Sequence, residues 1–229
     1  MRTRFVNLHI PAGDNETVAA EIVVNDGRFE EISTGESATA AGGEQWINLG
    51  GALVLPGCID GHVHFDDPGF TQREDFASGT AAAAAGGVTC VADMPCTSLP
   101  PVVDRESLEN KLRIIDPKAH VDYLLWGGVS GNSVADLQWS KHLADLADAG
   151  IAAVKVYMLS GMDTFRDLTM AEIRAVMADA HRLGIPVAIH AEDRSIVMEL
   201  TDRFRSLGED SPGAYAASRP AAAEATAIA

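Results

Sequence analysis

The chain has 229 residues, 47% hydrophobic and 22% charged, which is the balance of a folded globular protein and not of a disordered one. Its 17 Lys and Arg against 33 Asp and Glu leave a net charge of −16, a field that makes nucleic acid and anionic membrane poor partners. No apolar run approaches the roughly 20 residues of a membrane span, and Pro11 and Asp14 interrupt any secretory h-region. The three cysteines, Cys58, Cys90 and Cys96, form no CxxC and no disulfide framework, so a cytoplasmic protein is expected.

The first fifty residues carry short β-type runs: Arg4 to His9, Val18 to Val24, Phe29 to Ile32 and Gln45 to Leu49. Turn signals separate them, among them Pro11-Ala12-Gly13-Asp14 and Asn25-Asp26-Gly27, the latter suited to a tight hairpin because Asn and Gly tolerate positive φ. Residues 1–52 are expected to form a small β module. From about Leu53 apolar runs begin near Val54, Val88, Val121, Ile151 and Ile185, at intervals of 30 to 34 residues. Helical patterns lie between them. Leu108, Leu112 and Ile115 follow an Asp104 N-cap, and Leu143 and Leu146 lead to a stop at Gly150. Thr169-x-x-Glu172 is a capping box, after which Ile173, Val176, Met177 and Ala180 share a face until Gly184. Ser218 to Ala229 reads as the start of a further helix.

Alternating strands and helices at this period predict βαβ units and a parallel sheet. An open doubly wound sheet is one outcome. However, the first loop lacks GxGxxG, and the chemistry-bearing residues come from several strand ends, which suits a (β/α)₈ barrel. Eight units and a β module need roughly 350 to 450 residues, so residues 53–229 are expected to be the N-terminal portion of an incomplete barrel.

Asp60-Gly61-His62-Val63-His64 closes the first barrel strand. Strand side chains alternate, so His62 and His64 face one way and can chelate one divalent ion; structural histidines are the bland alternative. Lys155 sits in Ala152-Ala153-Val154-Lys155-Val156-Tyr157, a run apolar enough to be buried on both faces. It is either a rim lysine whose stem reaches water or a neutral amine that takes up CO₂ as a carbamate, an anion able to bridge two metals. His190 closes the fifth strand before Ala191-Glu192-Asp193. A core histidine is the alternative there, but four such residues at strand ends favour metal binding.

The stretch His62 to Phe76 (HVHFDDPGFTQREDF), then GTAAAAAGGVT, Met94-Pro95, VKVYMLSG and IHAED, resembles the cyclic amidohydrolases of the dihydroorotase and allantoinase branch, from about residue 50 to 229. The resemblance implies a (β/α)₈ barrel with a β-sandwich assembled from both chain ends, and hydrolysis of a ring amide C–N bond in a small ureide or cyclic imide. It further implies two divalent metal ions, usually Zn²⁺, with His62 and His64 on one, His190 on the other and carbamylated Lys155 bridging both. A later histidine and a general-base aspartate complete the family's site. Neither lies in this chain, and Asp66, Asp67 and Asp93 are not assigned that role.

Two positions depart from the family pattern. Asp66 stands where dihydroorotases carry a carboxylate-holding arginine, and Cys96 stands where they carry Asn. Met94-Pro95-Cys96-Thr97-Ser98-Leu99-Pro100 is nearer the allantoinase pattern, with Thr97 in place of Asn. The substrate-side candidates are Asp66, Cys96, Thr97 and Arg73, with Arg194 a further cation near the rim. Cys96 is expected to line a wall, with no histidine evidently paired to it. Two other readings stay open: a non-catalytic assembly or regulatory subunit of the same fold, and a metal-free barrel with an incidental HxH. A partial barrel leaves sheet edges open, so homo-oligomerisation or a complementing C-terminal half is the expected partnership.

Overall fold

The computed structural model describes residues 1–35 and 43–229. They divide into two compact units, Met1–Gly57 and Cys58–Ala229. Among them no helix is long and apolar enough to cross a membrane.

The first unit is one four-stranded sheet. β1 (Arg2–Gly13), β2 (Glu16–Asn25), β3 (Arg28–Thr34) and β4 (Gln45–Leu53) lie in the order β3-β2-β1-β4. β2 and β3 join through Asp26 (φ 49°) and Gly27 (φ 76°), so both central turn residues take the positive φ that matches the twist of a two-residue hairpin. Alternation sorts the side chains. Leu8, Ala20 and Ile22 form an apolar cluster, while Arg4, on the other face, pairs with Glu21 at 3.0 Å and Glu44 at 2.9 Å. The apolar run at Val54 belongs here and does not open a barrel strand, because the Val54 N–H donates to the His9 carbonyl at 2.8 Å and prolongs the β1–β4 pairing.

In the second unit, strands and helices alternate. β5 (Cys58–Val63), α1 (Phe76–Ala85), β6 (Val88–Asp93), α2 (Arg105–Ile115), β7 (Asp122–Leu125), β8 (Gly127–Gly128), α3 (Trp139–Asp148), β9 (Val154–Tyr157), α4 (Met170–Leu183) and β10 (Val187–His190) follow in order. α5 (Arg194–Ser206), α6 (Pro212–Ala217) and α7 (Ala221–Ile228) close the chain. All the strand pairings are parallel, in two sheets, β5-β6-β7 and β8-β9-β10. β7 and β8 are one stave interrupted at Trp126, pairing with β6 before the break and β9 after it. Glycine is required there: a Cβ on Gly128 would meet the Phe165 ring at 2.5 Å.

Capping fixes the helix starts. Asp104 and Thr169 each accept from the N3 backbone N–H in a reciprocal capping box. Gly184, at φ 70°, ends α4. Leu108, Ile115, Leu143, Leu146, Ile173 and Val176 then pack on Val91, Leu125, Val154 and Val156 of the sheet. Met177 departs from the sequence expectation: it is 48% exposed, because the buried stripe of α4 is narrow and runs through Ile173, Val176 and Ala180.

Candidate metal centre

The carboxyl ends of the staves hold the residues with chemistry. At the end of β5 the ladder with β6 shifts register between Asp60 and Val63, a bulge that re-aims the strand next to the site. The loosened Gly61 carbonyl accepts from Trp126 Nε1 at 3.2 Å, and the Asp60 carboxylate accepts from the His62 N–H at 3.1 Å. Beyond the bulge His62 and His64 share a face, with Nε2 atoms 3.2 Å apart. A tetrahedral ion with nitrogen ligands at roughly 2.0–2.1 Å has a nitrogen–nitrogen edge of about 3.3 Å. The pair fits that edge.

Electrostatics keep both rings receptive. Burial and the Lys155 ammonium push His62 below its ordinary value of 6.5, outweighing Asp60. Burial and then His62 do the same to His64, against Asp93 and Asp66. Neutral imidazole is the form that ligates a metal. His64 Nδ1 lies 3.3 Å from Thr97 Oγ1 and 3.8 Å from Cys96 Sγ. The sequence expectation that no histidine approaches Cys96 is thereby corrected. Burial raises the Cys96 pKa, so the group stays a thiol, packed against the Tyr157 hydroxyl at 3.1 Å.

Lys155 lies in β9, 4% exposed, between Val154 and Val156, each 0% exposed. Burial holds its amine below the ordinary 10.5. Its Nζ sits 5.1 Å from the Tyr157 ring centroid. On the neighbouring strand His190 is the register partner of Tyr157, their rings stacked with centroids 5.0 Å apart. His190 Nε2 is also 2.7 Å from Glu192 Oε2. The structure thus places His62 against His64, and Lys155 and His190 against Tyr157, with Cys96 touching both groups. Among the described residues no three His, Cys, Asp or Glu side chains form a ready-made ligand set.

The remaining candidates separate. Thr97 touches His64, and Asp66 is buried beside it at φ 50°. Arg73 is exposed, its guanidinium 4.8 Å above the Phe70 ring, and Arg194 pairs with Asp167 at 2.8 Å. Asp67 pairs with Lys118 at 2.6 Å and accepts from the Phe76 N–H, and Asp93 pairs with Lys111. Tyr157 was missed as a site residue. Its signal was its spacing: two residues after Lys155 on a strand, it must share the lysine's face.

The match to known proteins is broad. The amidohydrolase family model covers residues 53–223. The chain belongs to the amidohydrolase family. It is 42% identical over 213 residues to an allantoinase of Rubrobacter xylanophilus, covering 91% of this chain and 44% of that protein. It is 34% identical over 215 residues to a dihydroorotase of Methanosarcina mazei, covering 94% and 44%. The L-hydantoinase (dihydropyrimidinase) structure from Arthrobacter aurescens superposes with a TM-score of 0.87 at 26% identity, covering 99% of this chain and 48% of that one. This amidohydrolase chain therefore spans about half the length of the relatives it matches.

Proposed function

We propose that this chain supplies the first five staves and the first four metal-binding groups of a hydrolase that opens a cyclic amide C–N bond in a small ureide or imide. The observation that carries the reading is the His62–His64 pair, whose 3.2 Å separation fits one divalent ion. Its support is Lys155, an amine without a carboxylate partner among the described residues, held below its usual pKa by burial. The unprotonated fraction of the amine adds through its nitrogen lone pair to CO₂ and releases one N–H proton to solvent, so the carbamate would put a two-oxygen anion where a buried cation otherwise stands.

In this reading His62, His64, His190 and carbamylated Lys155 would together hold two divalent ions, Zn²⁺ being among the metals that suit imidazole and carboxylate-type oxygen ligands. Two bound divalent ions supply a nucleophilic water near neutral pH and a polarised carbonyl. Thr97 Oγ1 accepts a hydrogen bond from His64 Nδ1–H, the tautomer that leaves the Nε2 lone pair free to ligate. Tyr157 walls the cluster and keeps Lys155 from bulk water. Asp66, Cys96 and Thr97 face the substrate side. Arg73 is assigned no substrate contact.

Metal content and ¹³C-bicarbonate NMR of the intact protein test the assignment. The expected result is close to two divalent ions and one carbamate signal, both lost in Lys155→Ala. A folded, metal-free protein with no carbamate overturns it. Turnover of allantoin, dihydroorotate or a hydantoin supports the enzyme. Full metal loading with no turnover of any cyclic amide favours a non-catalytic subunit.

A further inference from the structure

Lys111 stands where an aliphatic residue is expected. It falls between Leu108 and Ile115 on the buried stripe of α2 and is 1% exposed. Its ammonium pairs with Asp93 Oδ2 and donates to Ser98 Oγ at 2.5 Å. A buried ion pair is poor value for stability, since apolar side chains of similar volume do as well or better. The charge needs another reason.

Both acceptors lead to one imidazole. The second oxygen of Asp93, Oδ1, accepts from the N–H of Phe65 at 3.0 Å, immediately after His64. Immediately before it, the Val63 carbonyl accepts from the Met94 N–H at 2.9 Å, next to Asp93 in the chain. Ser98 adjoins Thr97, whose Oγ1 lies 3.3 Å from His64 Nδ1. We propose that Lys111 is a positioning residue for His64. By tying Asp93 to Ser98 it fixes both the backbone after His64 and the hydroxyl that accepts the hydrogen bond from Nδ1–H, so that the Nε2 lone pair faces His62. The purpose of this arrangement rests on the metal reading above; the arrangement itself is measurable without metal.

The test uses the intact protein with ¹⁵N-labelled histidine, the His64 signals being assigned by their loss in His64→Gln. Wild type is expected to show a single Nδ1–H tautomer at His64. Lys111→Met is expected to show a mixture, and to bind Co²⁺, followed by its d–d absorption, roughly 10- to 100-fold more weakly. Asp93→Asn/Lys111→Met removes both charges of the pair, is expected to behave likewise, and covers the case in which the single variant does not fold. Leu143→Ala, a core truncation under α3, is expected to lower Tm and leave His64 and Co²⁺ binding unchanged. A folded Lys111 variant with the wild-type tautomer overturns the proposal, as does an equal change in Leu143→Ala. If wild type binds no Co²⁺, the metal reading falls, and the tautomer comparison still decides the role of Lys111.

Discussion

Lys155→Met should stabilise the metal-free, CO₂-free chain. In wild type Lys155 is 4% exposed, its Nζ sits 5.1 Å from the Tyr157 ring centroid and pairs with no carboxylate among the described residues. A cation–π contact returns about 0.5–2 kcal/mol, while a charge taken out of water costs several kcal/mol even after relaxation. Methionine keeps most of the buried stem without the charge, so the net gain is roughly 1–3 kcal/mol. At roughly 2–4 °C per kcal/mol for a unit of this size, Tm rises by about 2–12 °C. The pH dependence has a definite sign. The amine's folded pKa lies below its ordinary 10.5, so between the two values the unfolded chain binds the extra proton. Wild-type stability therefore climbs with pH across that window, and the advantage of methionine shrinks toward pH 10.5. Urea unfolding in EDTA, followed by the fluorescence of Trp126 and Trp139 at neutral and alkaline pH, measures both effects. A Lys155→Met chain less stable than wild type at neutral pH refutes the reasoning, because the amine would then be held by favourable contacts and not for its reactivity.

Three further outcomes follow from the same geometry. His62 and His64 have folded pKa values below 6.5, so the unfolded state binds more protons as pH falls; metal-free stability should drop below pH 6.5, and His62→Gln should flatten that slope in pH-dependent urea titrations. A Cβ on Gly79 would sit 2.5 Å from the Phe65 ring, so Gly79→Ala should lose about 1 kcal/mol net, overpacking of roughly 1–3 kcal/mol outweighing about 1 kcal/mol of helix propensity; an unchanged urea midpoint argues against that contact. Asp104→Ala removes the capping box of α2 and should cost about 1–2 kcal/mol in the same assay, with Asp104→Ser recovering most of it.

Much of the scaffold was legible because it is encoded over short distances. The hairpin at Asp26-Gly27, the caps at Asp104 and Thr169 and the stop at Gly184 each depend on residues within four positions of one another. Strand–helix alternation likewise follows from local periodicity, and strands begin at Cys58, Val88, Asp122, Val154 and Val187. The shared face of His62 and His64 needed only strand alternation.

The amino-acid sequence by itself therefore determined the alternating architecture, the helix ends and the imidazole pair, since neighbours along a chain impose their geometry directly. Tertiary packing alone decided that Val54 joins β1 through His9, that Met177 faces outward, and that Arg73 lies on the surface over Phe70. It also decided that Asp93 is neutralised by Lys111 and that Cys96 bridges His64 and Tyr157. Those contacts join residues separated by 18, 32 and 61 positions. At such separations no local pattern records the partner, and only burial, which penalises every unpaired charge or donor, selects it.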